Sequence, residues 1–192
     1  MMPFRKTLLP FALIGLVSAA WAESNLTVAP APVVYADARL DQRVVVPRMI
    51  FLRIGTGTNF ANNNVRDRVT FAVSPGNFAA ATPIAGTPSA GPIVARVLSN
   101  GGDVSFWARG TNGGLNAGGG NRIPWTQIVP ASSSGTLPHP TIGIGVAGPV
   151  TTLAATAGIV DRSATFSFTY SNSAPVVAGT YNGRVTYTAA LP

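Results

Sequence analysis

The sequence predicts an all-β protein, an immunoglobulin-like antiparallel β-sandwich. Three observations point there. Short runs alternate apolar and polar residues, which is the period of a half-buried strand. Turn residues divide those runs at fairly even spacing, with 21 Gly and 16 Pro among 192 residues, as in sandwiches and barrels. Helix formers are scarce beyond residue 22: Lys is absent, Glu occurs once and Leu is sparse.

Residues 1–22 stand apart. Arg5 and Lys6 give a positive start, LLPFALIGLVSAA an apolar core, and Ala20-Trp21-Ala22 a small-x-small ending. The apolar stretch is shorter than the roughly 20 residues a membrane helix needs. This is the pattern of a secretory signal peptide cut after Ala22. The expected product is one exported domain, residues 23–192, with an N-terminal arm at about 23–36 and no transmembrane segment after cleavage. Its destination is the periplasm, the cell surface or the medium. The chain has no cysteine. Small extracellular eukaryotic domains lean on disulfides, so their lack points to a bacterial exporter.

The strands are expected near 26–35, 43–54, 67–73, 92–98, 103–109, 123–129, 141–147, 163–170 and 181–190. In VVVPRMIFLRIG, Val44, Val46, Arg48, Ile50, Leu52 and Ile54 alternate with their neighbours, and Pro47 suggests an edge or bulge because it cannot donate to a ladder. In SATFSFTY, Ala164, Phe166, Phe168 and Tyr170 share the inner face. Phe106 and Trp107 fall on opposite faces of one strand. Ser99–Asp103 reads as a hairpin turn. Two segments read as loose connections: 74–91, rich in Pro, Ala and Gly, and 110–122, with six glycines between 110 and 120.

The chemistry-bearing residues are few. Past residue 22 the basic side chains are eleven scattered arginines against six acids, a net +5. Nucleic-acid binding normally shows a clustered patch, so no nucleic acid is expected. The glycine-rich segment lacks the Lys-Ser/Thr ending of a phosphate loop and no helix follows it. The single histidine, His139, lies in LPHP and reads as a surface loop residue. One His without a nearby acid makes neither a metal site nor a serine triad. Asp37, Asp41, Asp67 and Asp161 each have an arginine close by in sequence, and surface ion pairing explains them more simply than glycosidase chemistry. No catalytic residue, metal or cofactor is expected. The glycan-binding alternative uses Trp125 as a platform with Asn112, Asn116 and Asn121 of the glycine-rich loop. Against it, a sandwich often keeps a tryptophan in its core.

The end of the chain, AGTYNGRVTYTAALP, supplies a resemblance. Gly179 stands fourteen residues from the end, counted inclusively, and an alternating strand follows. This resembles the C-terminal strand of pilus subunits assembled by the chaperone–usher route in Gram-negative bacteria. The likeness covers about the last fifteen residues; the family's penultimate tyrosine is Leu191 here, and the disulfide found in many such subunits is absent. It implies an assembly strand of Gly179, Val185, Tyr187, Ala189 and Leu191, with Leu26, Val28 and Val33 or Tyr35 of the arm filling a neighbour's open groove. The implied partners are a periplasmic chaperone and other exported β-sandwich subunits. Two functions follow as expectations: a non-enzymatic structural or adhesive subunit of a fimbria-like surface structure, assembled by β-strand addition, or a periplasmic or secreted module that binds a glycan or anionic polymer.

Signal cleavage is directly testable: mass spectrometry of the exported protein should find Glu23 as its first residue, and an intact residue 1 overturns the signal reading.

Overall fold

The alternation in SATFSFTY builds the centre of the fold. In the computed structural model, residues 24–28, 35–61, 65–78 and 80–192 are described. The chain divides into two units, residues 1–46 and residues 47–192. The described residues of the first hold no strand or helix. Leu26 and Val28 are 86% and 87% exposed, and Tyr35, Leu40 and Val44 are also exposed. The strand expected near 26–35 is therefore absent at 26–28 and at Tyr35; its middle, with Val33, lies outside the described residues.

Residues 47–192 form an all-β sandwich. In one layer, β1 (Ile50–Ile54), β5 (Ile93–Ser99) and β12 (Val160–Tyr170) run side by side and antiparallel. The other edge of β12 takes β9 (Ile128–Ser132), and β3 (Ile84–Ala85) pairs Tyr170 and Thr169 beyond the end of β5. The second layer centres on β6 (Val104–Gly110). β13 (Val185–Ala190) lies antiparallel along one edge of it; β10 (Ile142–Ile144) and β11 (Thr151–Leu153) share the other. The β10–β6 pairing is parallel, a departure from an all-antiparallel sandwich. Two small pairs complete the unit: β2 (Val69–Thr70) with β4 (Thr87–Pro88), and β7 (Gly114–Gly118) with β8 (Asn121–Pro124).

Alternation decides which side chains meet between the layers. Ile93, Ala95 and Val97 of β5 and Val160, Ala164 and Phe166 of β12 pack against Val104 and Phe106 of β6 and Leu153 of β11. Each fully buried aliphatic or aromatic side chain of this kind is worth roughly 1.5–3 kcal/mol over its exposed state. A second, smaller cluster of Ile123, Trp125, Ile128 and Tyr170 lies toward the far end, with Phe71, Leu115, Val176, Tyr181 and Val185 packed on it.

Several expectations change. The strand at 43–54 begins only at Ile50. Before it, the Asn100 side chain does the work of a ladder, donating to the Pro47 carbonyl and accepting the Met49 N–H at 2.7 Å. Of 67–73, only Val69 and Thr70 are strand. The turn Ser99–Asp103 does not close a hairpin. Both edges of β5 are taken by β1 and β12, so the turn carries the chain across to the second layer. The 74–91 connection contains β3, β4 and a short 3-10 turn at Pro75–Asn77. The 110–122 segment is not a loose loop. Asn112 and Gly113, both at positive φ, make a bulge after which β7 resumes beside the last strand through reciprocal Asn116–Asn182 backbone hydrogen bonds. Leu115 and Ile123 of the β7–β8 pair then reach the second cluster. Asp67 pairs with neither neighbouring arginine but accepts the Thr56 N–H at 2.6 Å and its hydroxyl. Asp161 pairs with Arg96 at 3.0 Å on the adjacent strand, not with Arg162.

The hairpin therefore contributes to stability. Replacing residues 112–120 by a short Gly-Ser link removes Leu115 from the cluster and should cost about 2 kcal/mol or more, a fall in Tm on the order of 5 °C for a domain of this size. Substituting serine at Ala117 alone, exposed and not at positive φ, should leave Tm within about 2 °C, since surface changes are usually small. Calorimetry of both variants checks this.

Candidate functional site

The site grows from the last strand. On β13, Val185, Tyr187 and Ala189 face inward, and Leu191 follows them; all four pack on the two core clusters, as the alternation requires. Upstream, Tyr181 and Gly183 keep the same parity: Tyr181 packs on the second cluster, and a side chain at Gly183 would collide with the Trp125 indole. Tyr181 is also tied locally, its hydroxyl donating to the Val177 carbonyl at 2.7 Å.

At one end the first and last strands are close: Arg48 donates to the carbonyls of Gly101 and Pro192. At the other end a groove of about 890 Å³ opens between residues 68–78 and residues 176–183. Its floor is the second cluster, with Leu115, Ile123, Ile128 and Tyr170, and Phe71, Val73, Phe78, Val176 and Val177 line it higher up. Val73, Phe78 and Val177 are exposed. Asn172, buried and at positive φ, anchors one rim by donating its amide to the Asn77 carbonyl. Neither 71–73 nor 174–180 is paired with any described strand. The groove thus has an apolar floor and two borders whose backbone groups lack ladder partners, which is the geometry that accepts an added strand. Gly179 lies on one border.

The sugar-binding residues expected from sequence separate. Trp125 is 6% exposed and donates its Nε1–H to the Thr111 carbonyl at 3.0 Å. An indole so placed offers no face to a sugar, and burial of its large area is the reason it is there. Asn112 sits exposed in the bulge, Asn116 pairs with the last strand and spends its side-chain oxygen on the Gly118 N–H, and Asn121 opens β8. They do not converge with Trp125.

His139 is not the expected surface residue. Its ring packs edge-on against Phe166 and Phe168 of one layer and Tyr187 of the other, with centroid distances of 4.7, 5.4 and 5.4 Å. Nε2 and the Tyr187 hydroxyl are 2.7 Å apart, and the buried Nδ1 has no hydrogen-bond partner. The flanking prolines and fully buried Leu137 hold the loop inward. Burial lowers the imidazole from 6.5 to about 4, opposed weakly by the Pro140 backbone, and burial pushes the Tyr187 phenol well up. The sequence signal was LPHP itself: two prolines fix a loop that can be driven into the core as readily as out of it.

Among the described residues, no group of three or more His, Cys, Asp or Glu side chains is placed to hold a metal ion, and no helix is long and apolar enough to cross a membrane. No known family, curated protein or solved structure matches the chain.

The burial of His139 sets a pH dependence. The unfolded imidazole takes up a proton below its ordinary 6.5, while the folded one stays neutral down to about 4. Stability should therefore be complete above pH 6.5 and fall as pH drops from 6.5 toward 4, by no more than about 3 kcal/mol. Urea melts between those pH values check it: His139→Leu should lose most of that slope, and an unchanged slope overturns the assignment.

Proposed function

We propose that this protein is an exported, non-enzymatic structural or adhesive subunit of a fimbria-like surface structure, an immunoglobulin-like sandwich that lacks one strand and assembles by β-strand addition. The observation that carries the reading is the groove between 68–78 and 176–183: an apolar floor bordered by 71–73 and 174–180, which have no ladder partners among the described residues. A strand laid there would meet two needs together. It would cover apolar surface, worth about 25 cal/mol per Å², and pair backbone groups on both borders. The same sequence supplies a segment of the right character. Leu26, Val28, Val33 and Tyr35 of the arm are apolar, and Leu26, Val28 and Tyr35 are exposed. Under this reading the arm of one subunit enters the groove of the next, and a periplasmic chaperone covers the groove before assembly. The thin inventory of acids and bases supports a binding role over catalysis.

The test separates assembly from simple folding. The mature chain 23–192 should form oligomers visible by size-exclusion chromatography and electron microscopy. The form lacking residues 23–36 should remain monomeric and bind a synthetic 23–36 peptide. Val176→Arg, at the groove, should abolish peptide binding while leaving the first core cluster and its far-ultraviolet circular dichroism intact. A mature chain that stays monomeric at high concentration, with a truncated form that ignores the peptide, overturns the proposal.

A further inference from the structure

The outer face of the last strand differs from the inner one, and we propose that it binds an anionic polysaccharide, an extended sugar chain carrying repeated sulfate or carboxylate groups. The proposal is independent of strand addition, because it uses the opposite face of the strand.

Parity fixes which side chains stand there. Phe106 and Ala108 are buried and Gly110 faces the Trp125 indole, so Trp107 and Arg109 point outward. Tyr181, Gly183 and Val185 face inward, so Asn182 and Arg184 point outward. Leu115 and Ile123 face inward, so Asn116 and Arg122 point outward. Register then sets them in rows. Arg122 stands across from Asn116, and Asn116 across from Asn182. The Arg184 backbone pairs with Thr111 in the next row. Arg109 faces Thr186 and Trp107 faces Thr188 in the rows after that. From Asn182 to Thr188 the face runs roughly 20 Å at the rise of a strand. Arg109, Arg122 and Arg184 are exposed, and Trp107 is half-buried.

The arginines of residues 47–192 divide by use. Arg48, Arg53, Arg96 and Arg162 have structural partners. Among the described residues, Arg109, Arg122 and Arg184 have no acidic partner; nor do Arg66 and Arg68, which lie outside this face. The acids of the unit are engaged elsewhere: Asp67 on the Thr56 turn, Asp161 with Arg96, and Asp103 on the Ala155 N–H at 2.8 Å. Asp103 is the one acid near this face, four residues before Trp107. Three unneutralised guanidinium groups on a flat face, interleaved with hydroxyls and amides, match sulfate or carboxylate groups repeated along a hydroxyl-rich chain. A single aromatic at one end gives one sugar ring an apolar plane. Single-stranded nucleic acid is the poorer fit, because successive bases need several aromatic platforms.

The test is surface plasmon resonance of the mature chain on immobilised heparin, polygalacturonate and dextran, with RNA and anionic vesicles alongside. Heparin or polygalacturonate should bind with a strong salt dependence, and dextran should not. The Arg109→Ser/Arg184→Ser double variant should bind roughly tenfold more weakly or worse, with an unchanged melting profile. Arg66→Ser, outside both the groove and this face, removes one charge as Arg122→Ser does and should bind as the parent does. Arg122→Ser alone, on the hairpin, should shift affinity in the same direction as the double variant and serves if that variant melts early. Equal weakening by Arg66→Ser and Arg122→Ser means that only net charge is read and overturns the proposal. So does tighter binding of RNA or vesicles than of either polysaccharide, or equal binding of dextran.

Discussion

The second layer depends on one buried side chain, Trp125, at the point where β6 and the last strand run together. Gly110 on β6 and Gly183, just ahead of β13, both lie against the indole, and a Cβ at either position would overlap it. The indole N–H closes on the Thr111 carbonyl, and the Thr111 N–H in turn bonds the Arg184 carbonyl. Ring, bulge and last strand are thus one unit. A methyl group at either glycine would force the ring away and break the hydrogen bond, a loss in the range of a large core overpacking, about 1–3 kcal/mol. The two glycines are required by close approach to a large aromatic, not by turn geometry.

That arrangement leaves the two core clusters in different conditions. The first is closed between layers, with Val97, Val104, Phe106 and Val160 fully buried. The second shares Tyr170, Ile123 and Ile128 with the floor of the groove, and its cover is incomplete. Protein stability is not uniform, and a region with few buried contacts and unpaired backbone opens most easily. The closed cluster gives the unit a sealed core, while the open one keeps a place where added surface and added hydrogen bonds would both lower the free energy. His139 belongs to the closed part. Its ring joins Phe166 to Tyr187 and anchors the inner half of β13 well away from the groove.

Much of this was legible in the sequence, and the failures have physical causes. Alternation gave β5, β6, β12 and β13 within a few residues, because period two and burial on one face are local properties. It also placed Val185, Tyr187, Ala189 and Leu191 inward. The glycine-rich hairpin was missed because composition speaks for flexibility, while Leu115 and Ile123, one on each side of the glycines, are the residues that decide packing. His139 was misread because nothing local reports whether a proline-bound loop faces in or out. The short strands β3 and β4 were missed because two-residue pairings depend on a neighbour, β12 or β2, that sequence alone does not bring near. The groove is a property of two segments about a hundred residues apart, 68–78 and 176–183, and no short window along the chain contains both.

The prolines of the arm bear on how a strand could occupy that groove. In a strand, successive residues direct their backbone groups to opposite neighbours, so residues two apart address the same one. Pro30 and Pro32 are two apart. In the proposed assembly they therefore silence ladder donors on one side only, and the other border can still pair without interruption. A single border fully paired and one weakly paired gives an insertion that holds yet stays asymmetric. The same strand parity separates the two surfaces of residues 181–185. Tyr181 and Gly183 serve the core and the groove and Val185 the core, while Arg184 serves the basic face and Asn182 lies between the two surfaces. Because the side chains alternate, a strand in the groove and an anionic chain on the outer face would meet in common only at Asn182, and in the proposed fibre each subunit would keep Arg109, Arg122 and Arg184 open.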